Sequence, residues 1–344
     1  MPNQEAKTEA QAQMLANRLQ KRFRHLSKWA KRIGAGAFRL YDRDIPEIPL
    51  VLDYYGEAVA GALYKRPYEK DEEDERRWLE AMRAAAAEVL SIDPRNIFLK
   101  RRERQRGSSQ YEKIGERRFV RNINEGGLSF KVNLSDYLDT GLFLDRRLLR
   151  SMIRDEARGK RVLNLFSYTG AFSVYAAAGG AASTDSVDLS NTYLDWAKEN
   201  FALNGFTAEK TDGKDAKYAH NNLIRADALA FLERSSAAGQ HWDLIILDPP
   251  AFSNSKKMIA ALDLQRDHTD LISRCLALLG PGGKLWFSAN QRSFKTTAVE
   301  LEATLAPRFP GVKVTDVSDK TVDEDFRGKK TPGSFVLAIC GQKV

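Results

Sequence analysis

The second half of the sequence alternates short apolar segments with segments of helical spacing. After residue 144 the apolar segments read RVLNLF, AASTDSVD, NNLIRAD, WDLIILD and GGKLWFSAN, and stretches such as NTYLDWAKENFALNG and LQRDHTDLISRCLALLG separate them. Apolar strands alternating with helices are typical of a parallel sheet covered on both faces. We therefore predict an α/β fold with a doubly wound sheet, which binds ligands at the carboxyl ends of its strands. The last two strands, VKVTDV and SFVLAIC, are close in sequence, which favours an antiparallel pair.

The first half carries almost all of the excess positive charge. Residues 1–150 contain 30 Lys and Arg against 23 Asp and Glu, and the net charge of the whole chain is +8. The segment from residue 95 to residue 121, around a predicted hairpin, contains ten basic residues and three acidic ones. A localised positive field favours a polyanion such as RNA, although a charged edge strand protected against aggregation has the same pattern. The candidate RNA contacts are Arg101, Arg102, Arg104 and Arg106.

Composition excludes several classes of protein. No apolar stretch resembles a signal peptide or reaches the roughly 18 residues of a membrane helix, so we expect a cytoplasmic protein. Two cysteines and four scattered histidines offer neither a disulfide framework nor metal-ligand spacing, so no metal site is predicted.

The length of 344 residues suits two domains. Apolar residues recur at helical spacing from Met14 to Ile33, after a polar beginning. The predicted organisation is a disordered tail over 1–12, an N-terminal α+β RNA-binding domain over 13–134, a linker over 135–158 and the α/β domain over 159–344.

Acidic residues end three consecutive predicted strands. Asp188 lies 18 residues after Gly170, close to the spacing of a carboxylate that binds ribose hydroxyls. Asp227 could accept from an adenine amino group, with the N–H of Ala228 beside it, and Asp248 ends the next strand. Each acid could equally be a helix N-cap. The predicted cofactor contacts in these loops also include Asn164, Phe166, Ser167, Tyr168, Thr169, Leu189 and Ser190.

The turn after the first strand, NLFSYTGAFSV, lacks the G-x-G-x-x-G pattern of a nicotinamide-binding protein. Its single glycine favours a cofactor without phosphates. A ribose, an adenine and a positive charge would suit the three carboxylates, and together these features indicate S-adenosylmethionine.

The sequence Asp248-Pro249-Pro250 should hold a carboxylate and backbone carbonyls rigidly, because proline removes donors and restricts φ. Such acceptors could orient a nucleophilic nitrogen, and Phe252 could stack on a flipped base. Methylation at C5 of a pyrimidine needs a cysteine nucleophile. Cys275 falls in the middle of a predicted helix and Cys340 on the last strand, so nitrogen is the predicted acceptor.

Specific strings then identify a resemblance. With LYDRDIPE, LKRRERQRG, NLSDYLDTGLFLDRR, LDPPAFSNSKKM and LQRDH, the chain resembles the RlmK enzymes, guanine-N7 methyltransferases of 23S ribosomal RNA that also form the C-terminal half of fused RlmL proteins. Pyrimidine-C5 relatives carry a cysteine at the end of the fifth strand, where this chain has Ser288. The resemblance implies a class I S-adenosylmethionine methyltransferase domain (Rossmann-like), and 23S rRNA or a large-subunit assembly intermediate as partner. It also implies a linker folding over the cofactor with Phe143, Asp145 and Arg146.

Guanine N7 has a lone pair and no proton, so in-line displacement without an obligatory general base is the predicted mechanism. An exocyclic amino nitrogen remains open on chemical grounds, as does a non-catalytic RNA-binding assembly factor, whereas a dehydrogenase lacks its glycine pattern. Four further residues could hold flanking phosphates or the base edge, or could equally be plain surface residues. They are Lys256, Lys257, Arg266 and His268.

Overall fold

The structure is a computed structural model that describes residues 2–64, 71–102, 117–211, 220–253, 261–291, 293–329 and 333–340. The chain divides into two compact units. The first is Met1–Leu144 with Glu324–Phe326, and the second is Asp145–Asp323 with Arg327–Val344. Across the described ranges, no helix combines the length and the apolar character needed to cross a membrane.

The first unit is an α+β domain. Its elements are α1 (Pro2–Ile33), β1 (Phe38–Asp42), β2 (Leu50–Tyr54), β3 (Val59–Tyr64), α2 (Glu72–Leu90), β4 (Ile97–Arg102), β5 (Val120–Glu125) and β6 (Leu128–Asn133). Strands β1 to β4 form one sheet in that order, antiparallel except for the β3–β4 pair, which is parallel because α2 crosses between them.

The predicted disordered tail over 1–12 is wrong, because α1 begins at Pro2. Gln11 is buried, and its Oε1 accepts a hydrogen bond of 2.6 Å from Nε1 of Trp78, which is buried on α2. Farther along α1, Leu15, Leu19 and Leu26 are buried in the same core. The polar start of the helix is therefore ordered by a contact with a residue 67 positions away.

The predicted hairpin is confirmed. Strands β5 and β6 pair antiparallel with Glu125 opposite Leu128, and Gly126 and Gly127 between them have φ of 60° and 80°. Positive φ at both central residues is the geometry of the tight turn that matches strand twist.

The second unit is the predicted doubly wound domain. Its elements are α3 (Arg147–Glu156), β7 (Arg161–Leu165), α4 (Ala171–Ala178), β8 (Ser183–Asp188), α5 (Asn191–Leu203), β9 (Glu209–Thr211), β10 (Asn221–Arg225), α6 (Ala228–Ala237), β11 (Trp242–Leu247), β12 (Phe252–Ser253), β13 (Leu262–Asp263), α7 (Leu264–Leu276), β14 (Leu279–Ser288), α8 (Ala298–Leu305), β15 (Val312–Asp316) and β16 (Ser334–Ile339).

The main sheet has eight strands in the order β15-β16-β14-β11-β7-β8-β10-β9. Strands β9, β10, β8, β7, β11 and β14 run parallel to one another, β16 is antiparallel to β14, and β15 and β16 pair antiparallel as predicted. The chain winds outward in both directions from β7 and β11, so the strand order reverses there. The crevice at such a reversal is where sheets of this type bind ligands.

Both faces of the sheet are buried. On β11, Leu244 and Ile246 pack with residues of α3 and α4, and Ile245 and Leu247 pack on the other face with α6, α7 and α8. This alternation explains why LIIL, residues 244–247, is apolar without a gap.

The predicted end of the linker at residue 158 is wrong. The second unit already begins at Asp145, and α3 buries Leu149 and Ile153 against the sheet. Because Leu149 and Ile153 on one face of α3 are buried, α3 is part of the core of the second unit. The boundary between the two units therefore lies near residue 144 rather than at 158.

The Gln11–Trp78 contact predicts how the start of α1 contributes to stability. Gln11→Ala removes the acceptor that Gln11 supplies to the buried Trp78 N–H and should lower the free energy of unfolding by about 1–3 kcal/mol. Gln13→Ala, an exposed change on the same helix, should lower it by less than about 0.5 kcal/mol. Urea denaturation measures both, and equal effects would contradict an ordered start.

Candidate functional site

The turn from β7 to α4 has an unusual backbone. Phe166 and Tyr168 have positive φ of 56° and 51°, and Gly170 follows at 73°. Non-glycine residues adopt this conformation at a cost of order 1–2 kcal/mol each. Hydrogen bonds hold the turn: the N–H of Ser167 donates to Val187, and Asn200 Nδ2 donates to Thr169 O.

Gly170 has a steric as well as a conformational reason to be glycine. A Cβ at this position would lie 2.8 Å from the Cβ of Ala197 on α5. The close approach of α5 to the turn therefore depends on the single glycine of the motif.

Asp188, at the end of β8, bonds the same turn. Its Oδ2 accepts from the N–H of Tyr168 at 2.9 Å, and its Oδ1 accepts from the N–H of Ser190 at 2.8 Å. Burial raises the pKa of the Asp188 carboxyl to about 6, and the backbone donors of Ser190, Tyr168 and Leu189 act in the opposite direction. Ser190 in turn caps α5.

Asp227 is the N-cap of α6. Its Oδ1 accepts from the N–H of Ala230 at 3.1 Å, and Ala228 is the first, buried residue of the helix. The capping alternative is therefore correct for this residue. Asp227 stands at the same edge of the sheet as Asp188, because β8 and β10 pair in parallel with Arg225 opposite Asp188.

Asp248, after β11, belongs to a buried polar cluster. Arg146 Nε lies 3.4 Å from Asp248 Oδ1, and Asn290 Nδ2 donates to the same oxygen at 3.0 Å. Arg146 Nη2 donates to Asn290 Oδ1 at 2.7 Å. The side chains of Arg146 and Asp248 are only 4% and 11% exposed, so the carboxylate is paired with a cation inside the protein.

This arrangement corrects one expectation about the Asp-Pro-Pro loop (Asp248, Pro249 and Pro250). Its carbonyls were expected to be available to a substrate, but Pro249 O accepts from Asn290 Nδ2 at 2.9 Å. Burial raises the pKa of the Asp248 carboxyl, and Arg146, Ser288 and Asn290 act in the opposite direction.

Asn290 is the residue that sequence reasoning missed. The end of the fifth strand, FSAN, carries the available signal: a polar amide directly after an apolar strand, at the edge where the acids of the other strands lie.

Buried polar atoms at the turn after β7 remain for a ligand. In the described part of the chain, Asn164 Oδ1 and Ser167 Oγ are buried with no hydrogen-bond partner. Buried polar groups nearly always have a partner in native proteins. An acceptor and a hydroxyl suit the ammonium and carboxylate of an amino-acid moiety, so the residues present fit S-adenosylmethionine.

Two of the predicted RNA contacts lie on α7. His268 is a correction: it is 7% exposed, its Nδ1 lies 3.1 Å from Leu264 O on its own helix, and its ring packs edge-on against Phe294. It is a core residue that cannot reach a phosphate. Arg266 is exposed at the start of α7, where it pairs with Asp267 at 2.6 Å.

Some of the other predicted site residues lie in the described ranges, and others lie outside them. Phe252 is 43% exposed directly after the Asp-Pro-Pro loop, and Phe143, in the first unit, is 39% exposed. Asp145 lies 3.6 Å from Arg146. Four predicted RNA contacts lie outside the described residues: Arg104, Arg106, Lys256 and Lys257.

Neither thiol of the chain is at this edge. Cys275 is fully buried near the end of α7, and burial raises the pKa of its thiol. Cys340 follows β16, whose antiparallel register pairs Ala338 with Lys284, so it lies toward the opposite edge from Ser288.

The raised pKa of Asp188 predicts pH-dependent ligand binding. The folded protein holds a proton between about pH 4 and 6 that the unfolded chain releases, so this group stabilises the folded state as pH falls and the buried charge costs stability above pH 6. Only the charged form accepts ribose hydroxyls strongly. Affinity for S-adenosylhomocysteine should therefore fall as pH drops through about 6.

Calorimetric titrations from pH 5 to 8 measure this affinity. Asp188→Asn should bind about tenfold to a hundredfold more weakly at pH 8 and lose the pH dependence. The variant Asp227→Asn retains Asp188 and should therefore keep the pH dependence. A wild-type affinity that is constant over this range would contradict the assignment of Asp188.

Comparison with known proteins agrees with this geometry. A model of the S-adenosylmethionine-dependent methyltransferase family matches residues 38–318. Ribosomal RNA large subunit methyltransferase K of Neisseria meningitidis serogroup B is 48% identical over 315 residues, which are 92% of this chain and 84% of that protein. Ribosomal RNA large subunit methyltransferase K/L of Pseudomonas entomophila is 46% identical over 92% of this chain, which spans 40% of that longer protein.

A solved structure has the same fold. The methyltransferase SMU.776, complexed with SAH, superposes with a TM-score of 0.71 and 26% identity, covering 95% of this chain and 81% of that one. The chain therefore belongs to the S-adenosylmethionine-dependent methyltransferases, in one family with the ribosomal RNA large subunit methyltransferases K and K/L, and its cofactor is S-adenosylmethionine.

Proposed function

We propose that the protein methylates N7 of a guanine in 23S ribosomal RNA, in the large subunit or one of its assembly intermediates. The names of the K and K/L relatives support a large-subunit RNA substrate. The observation that carries the proposal is the Asp248 cluster: Asp248 Oδ1 and Pro249 O are engaged by Arg146 and Asn290, and no thiol lies beside it. Such a site suits an acceptor atom that needs neither a base nor a covalent nucleophile.

Guanine N7 is such an atom, because its lone pair lies in the ring plane and it has no proton to lose. S-adenosylmethionine, when bound, supplies a methyl group on a sulfonium. The chain then has to position the base and exclude water, and Phe252, exposed beside the Asp-Pro-Pro loop, is suited to stack on a flipped base.

The ion pair of Asp248 also affects the reaction. Methylation of N7 makes the base cationic, and a buried arginine alone would oppose that change. Asp248 cancels the charge of Arg146, from which it is 3.4 Å away. We infer that Asp248 prevents the charge of Arg146 from opposing the positive charge that develops on the base.

An exocyclic amino group is the rival acceptor. It would need free acceptors for its N–H groups, and two of those in the Asp-Pro-Pro loop, Asp248 Oδ1 and Pro249 O, already accept from Asn290. This engagement favours N7. A non-catalytic assembly factor would have no need of the strained cofactor turn.

RNA contacts are expected mainly on the first unit. The predicted residues Arg101 and Arg102 form ion pairs with Glu75 at 2.8 Å and with Asp139 at 3.6 Å, and their side chains are 47% and 41% exposed. Exposed ion pairs contribute about 0–1 kcal/mol, so phosphates can replace these partners readily.

A second group of residues fits single-stranded RNA. The rings of Phe98 and Phe119 lie 4.9 Å apart, with Arg117 stacked over the first at 5.2 Å and Arg121 over the second at 5.1 Å. Guanidinium planes held on aromatic rings can stack on bases and bind phosphates. We call these four residues the Arg–Phe stack and include it in the proposed RNA surface.

The chemical identity of the product tests the proposed acceptor. Ribosomal RNA incubated with the protein and labelled cofactor should contain 7-methylguanosine, and the chain should be cleaved at that site after reduction and aniline treatment. The variant Cys275→Ser with Cys340→Ser should keep turnover within about twofold, because neither thiol is at the site.

Incorporated methyl that resists this cleavage would favour an amino nitrogen. A covalent enzyme–RNA adduct would contradict the proposed mechanism, and no transfer at all would favour the assembly factor.

Salt dependence tests the RNA surface. Arg117→Ala with Arg121→Ala should weaken RNA binding and reduce the slope of log affinity against log salt by up to about 1.5 units, if each residue meets one phosphate. The matched control is Arg76→Ala with Arg77→Ala on α2, which removes the same charge. The side chains of these two arginines are 69% and 67% exposed. For this control pair, filter binding between 50 and 300 mM salt should show little change in the slope of log affinity against log salt. Equal slopes for the two double variants would remove the Arg–Phe stack from the proposed RNA surface.

A further inference from the structure

Asn290 is the residue to which every part of the Asp248 cluster connects. Its Nδ2 donates to Asp248 Oδ1 at 3.0 Å and to Pro249 O at 2.9 Å, and it lies 3.3 Å from Asp248 O. Its Oδ1 accepts from Arg146 Nη2 at 2.7 Å. One amide thus joins the loop after β11, the 3₁₀ turn at Leu144–Arg146 and the end of β14.

The prolines explain why the loop needs this donor. Pro249 and Pro250 have no N–H, so the loop cannot anchor itself through donors of its own in a ladder or a turn. Its carbonyls need a donor from outside. Asn290, two residues beyond the end of the neighbouring strand, is placed to supply it because β11 and β14 pair in parallel with Leu247 opposite Phe287.

The charges around Asn290 require a neutral side chain at this position. Asp145 and Asp248 lie 3.6 Å and 3.4 Å from the nitrogen atoms of Arg146 that face them. Two carboxylates already share one guanidinium, and a third would add uncompensated buried charge. An amide donates to one partner and accepts from another without changing that balance.

We propose that Asn290 is a positioning residue for methyl transfer: it holds the Asp-Pro-Pro loop and the Arg146 guanidinium in the geometry that presents the acceptor base to the methyl group. This inference rests on the proposed methyltransferase reaction on RNA, but not on which nitrogen is methylated.

The kinetic test compares Asn290→Ala with a matched control, Asn222→Ala. Asn222 Nδ2 donates to Asp185 Oδ1 at 2.8 Å in the same sheet, both residues are buried, and the pair lies in the middle of β8 and β10 rather than at their carboxyl ends. Each variant loses one buried amide–carboxylate hydrogen bond, and Asn290→Ala also loses the bonds to Pro249 O and from Arg146 Nη2. Labelled-methyl incorporation into ribosomal RNA should give a kcat for Asn290→Ala that is reduced roughly 30- to 100-fold, because misplacement by about 1 Å can cost that much.

The KM for RNA and the affinity for S-adenosylhomocysteine should change by less than about threefold in this variant, since the lost contacts lie in the loop. Asn222→Ala should unfold at lower urea but keep its kcat within about twofold. A kcat of Asn290→Ala as high as that of the control would overturn the inference.

The pH profile provides a readout that a purely structural role would not move. In Asn290→Asp the new carboxyl faces Asp248 beside Arg146 and Asp145, and it can donate to Asp248 only when protonated. The kcat of Asn290→Asp should therefore rise as pH falls from 8 to 6. The kcat of Asn290→Ala should show no such rise, because alanine has no group that titrates. Parallel profiles for the two variants would contradict the proposed hydrogen bond.

Hydrogen exchange tests the anchoring of the loop without RNA. The peptide 247–253 should exchange faster in Asn290→Ala than in wild type or Asn222→Ala. A wild-type protein that transfers no methyl to RNA would contradict the proposed function, whereas unchanged exchange in Asn290→Ala would contradict this inference alone. Asn290→Ser, which keeps a short donor, should give intermediate exchange if the alanine variant is too unstable to study.

Discussion

The parallel pairing of β7 with β8 on one side and with β11 on the other determines where the chemistry of this protein lies. Leu165 lies opposite Val187 and also opposite Leu247, so the three strands end together. Their polar continuations must then share one edge of the sheet. Residues that are 20 to 80 positions apart in the chain meet there because the backbone ladder fixes the register, and a slip by one residue would turn every apolar side chain of β11 to the wrong face.

Within that edge the Arg146–Asp248 pair sets the local constraints. Desolvating two charges costs several kcal/mol per ion, and their attraction compensates only when further hydrogen bonds satisfy the remaining donors and acceptors. Asn290 supplies such bonds to both partners. Loss of one member of a buried pair typically destabilises a protein by about 3–5 kcal/mol. The 3₁₀ turn at Leu144–Arg146 is therefore tied to the strand ends by electrostatics as well as by packing, which explains why the second unit begins there and not after α3.

The features that sequence reasoning predicted correctly follow from local rules. Alternation of apolar strands and helices gave the doubly wound sheet. The acids at the ends of β8, β10 and β11 were found because burying a carboxylate is costly, so an acid next to a buried strand stands out in the sequence. The features that it missed depend on partners far along the chain. Gln11 is ordered by Trp78, 67 residues away, and Asn290 meets Arg146, 144 residues away. No periodicity reports such pairs.

The wrong prediction for His268 has a different cause. A histidine close to the predicted RNA contact Arg266 in LQRDH has the composition of a binding motif, but the position of a residue around a helix decides its role. On α7 the side chains of Leu264, His268 and Leu271 are buried, whereas Arg266 is exposed. The spacing of three to four residues places the histidine on the buried face, and this reading was available from the periodicity of the helix alone.

The polar layer beneath the cofactor turn links stability to ligand binding. Asn164 Nδ2 donates to Ser173 Oγ at 2.9 Å, and Ser186 Oγ donates to the same oxygen at 2.7 Å, so one hydroxyl connects β7, β8 and α4. This layer leaves Asn164 Oδ1 buried and without a partner in the described part of the chain. An unsatisfied buried acceptor costs about 1–3 kcal/mol, and a bound ligand that donates to it removes that cost. The strained φ values at Phe166 and Tyr168 add to the same imbalance. A site built in this way is rigid, because the hydrogen-bonded layer fixes its floor, and it is also less stable empty than filled, because its remaining polar atoms have no other partner. Rigidity and unsatisfied acceptors at one edge of the sheet are thus two results of a single arrangement of β7, β8 and α4.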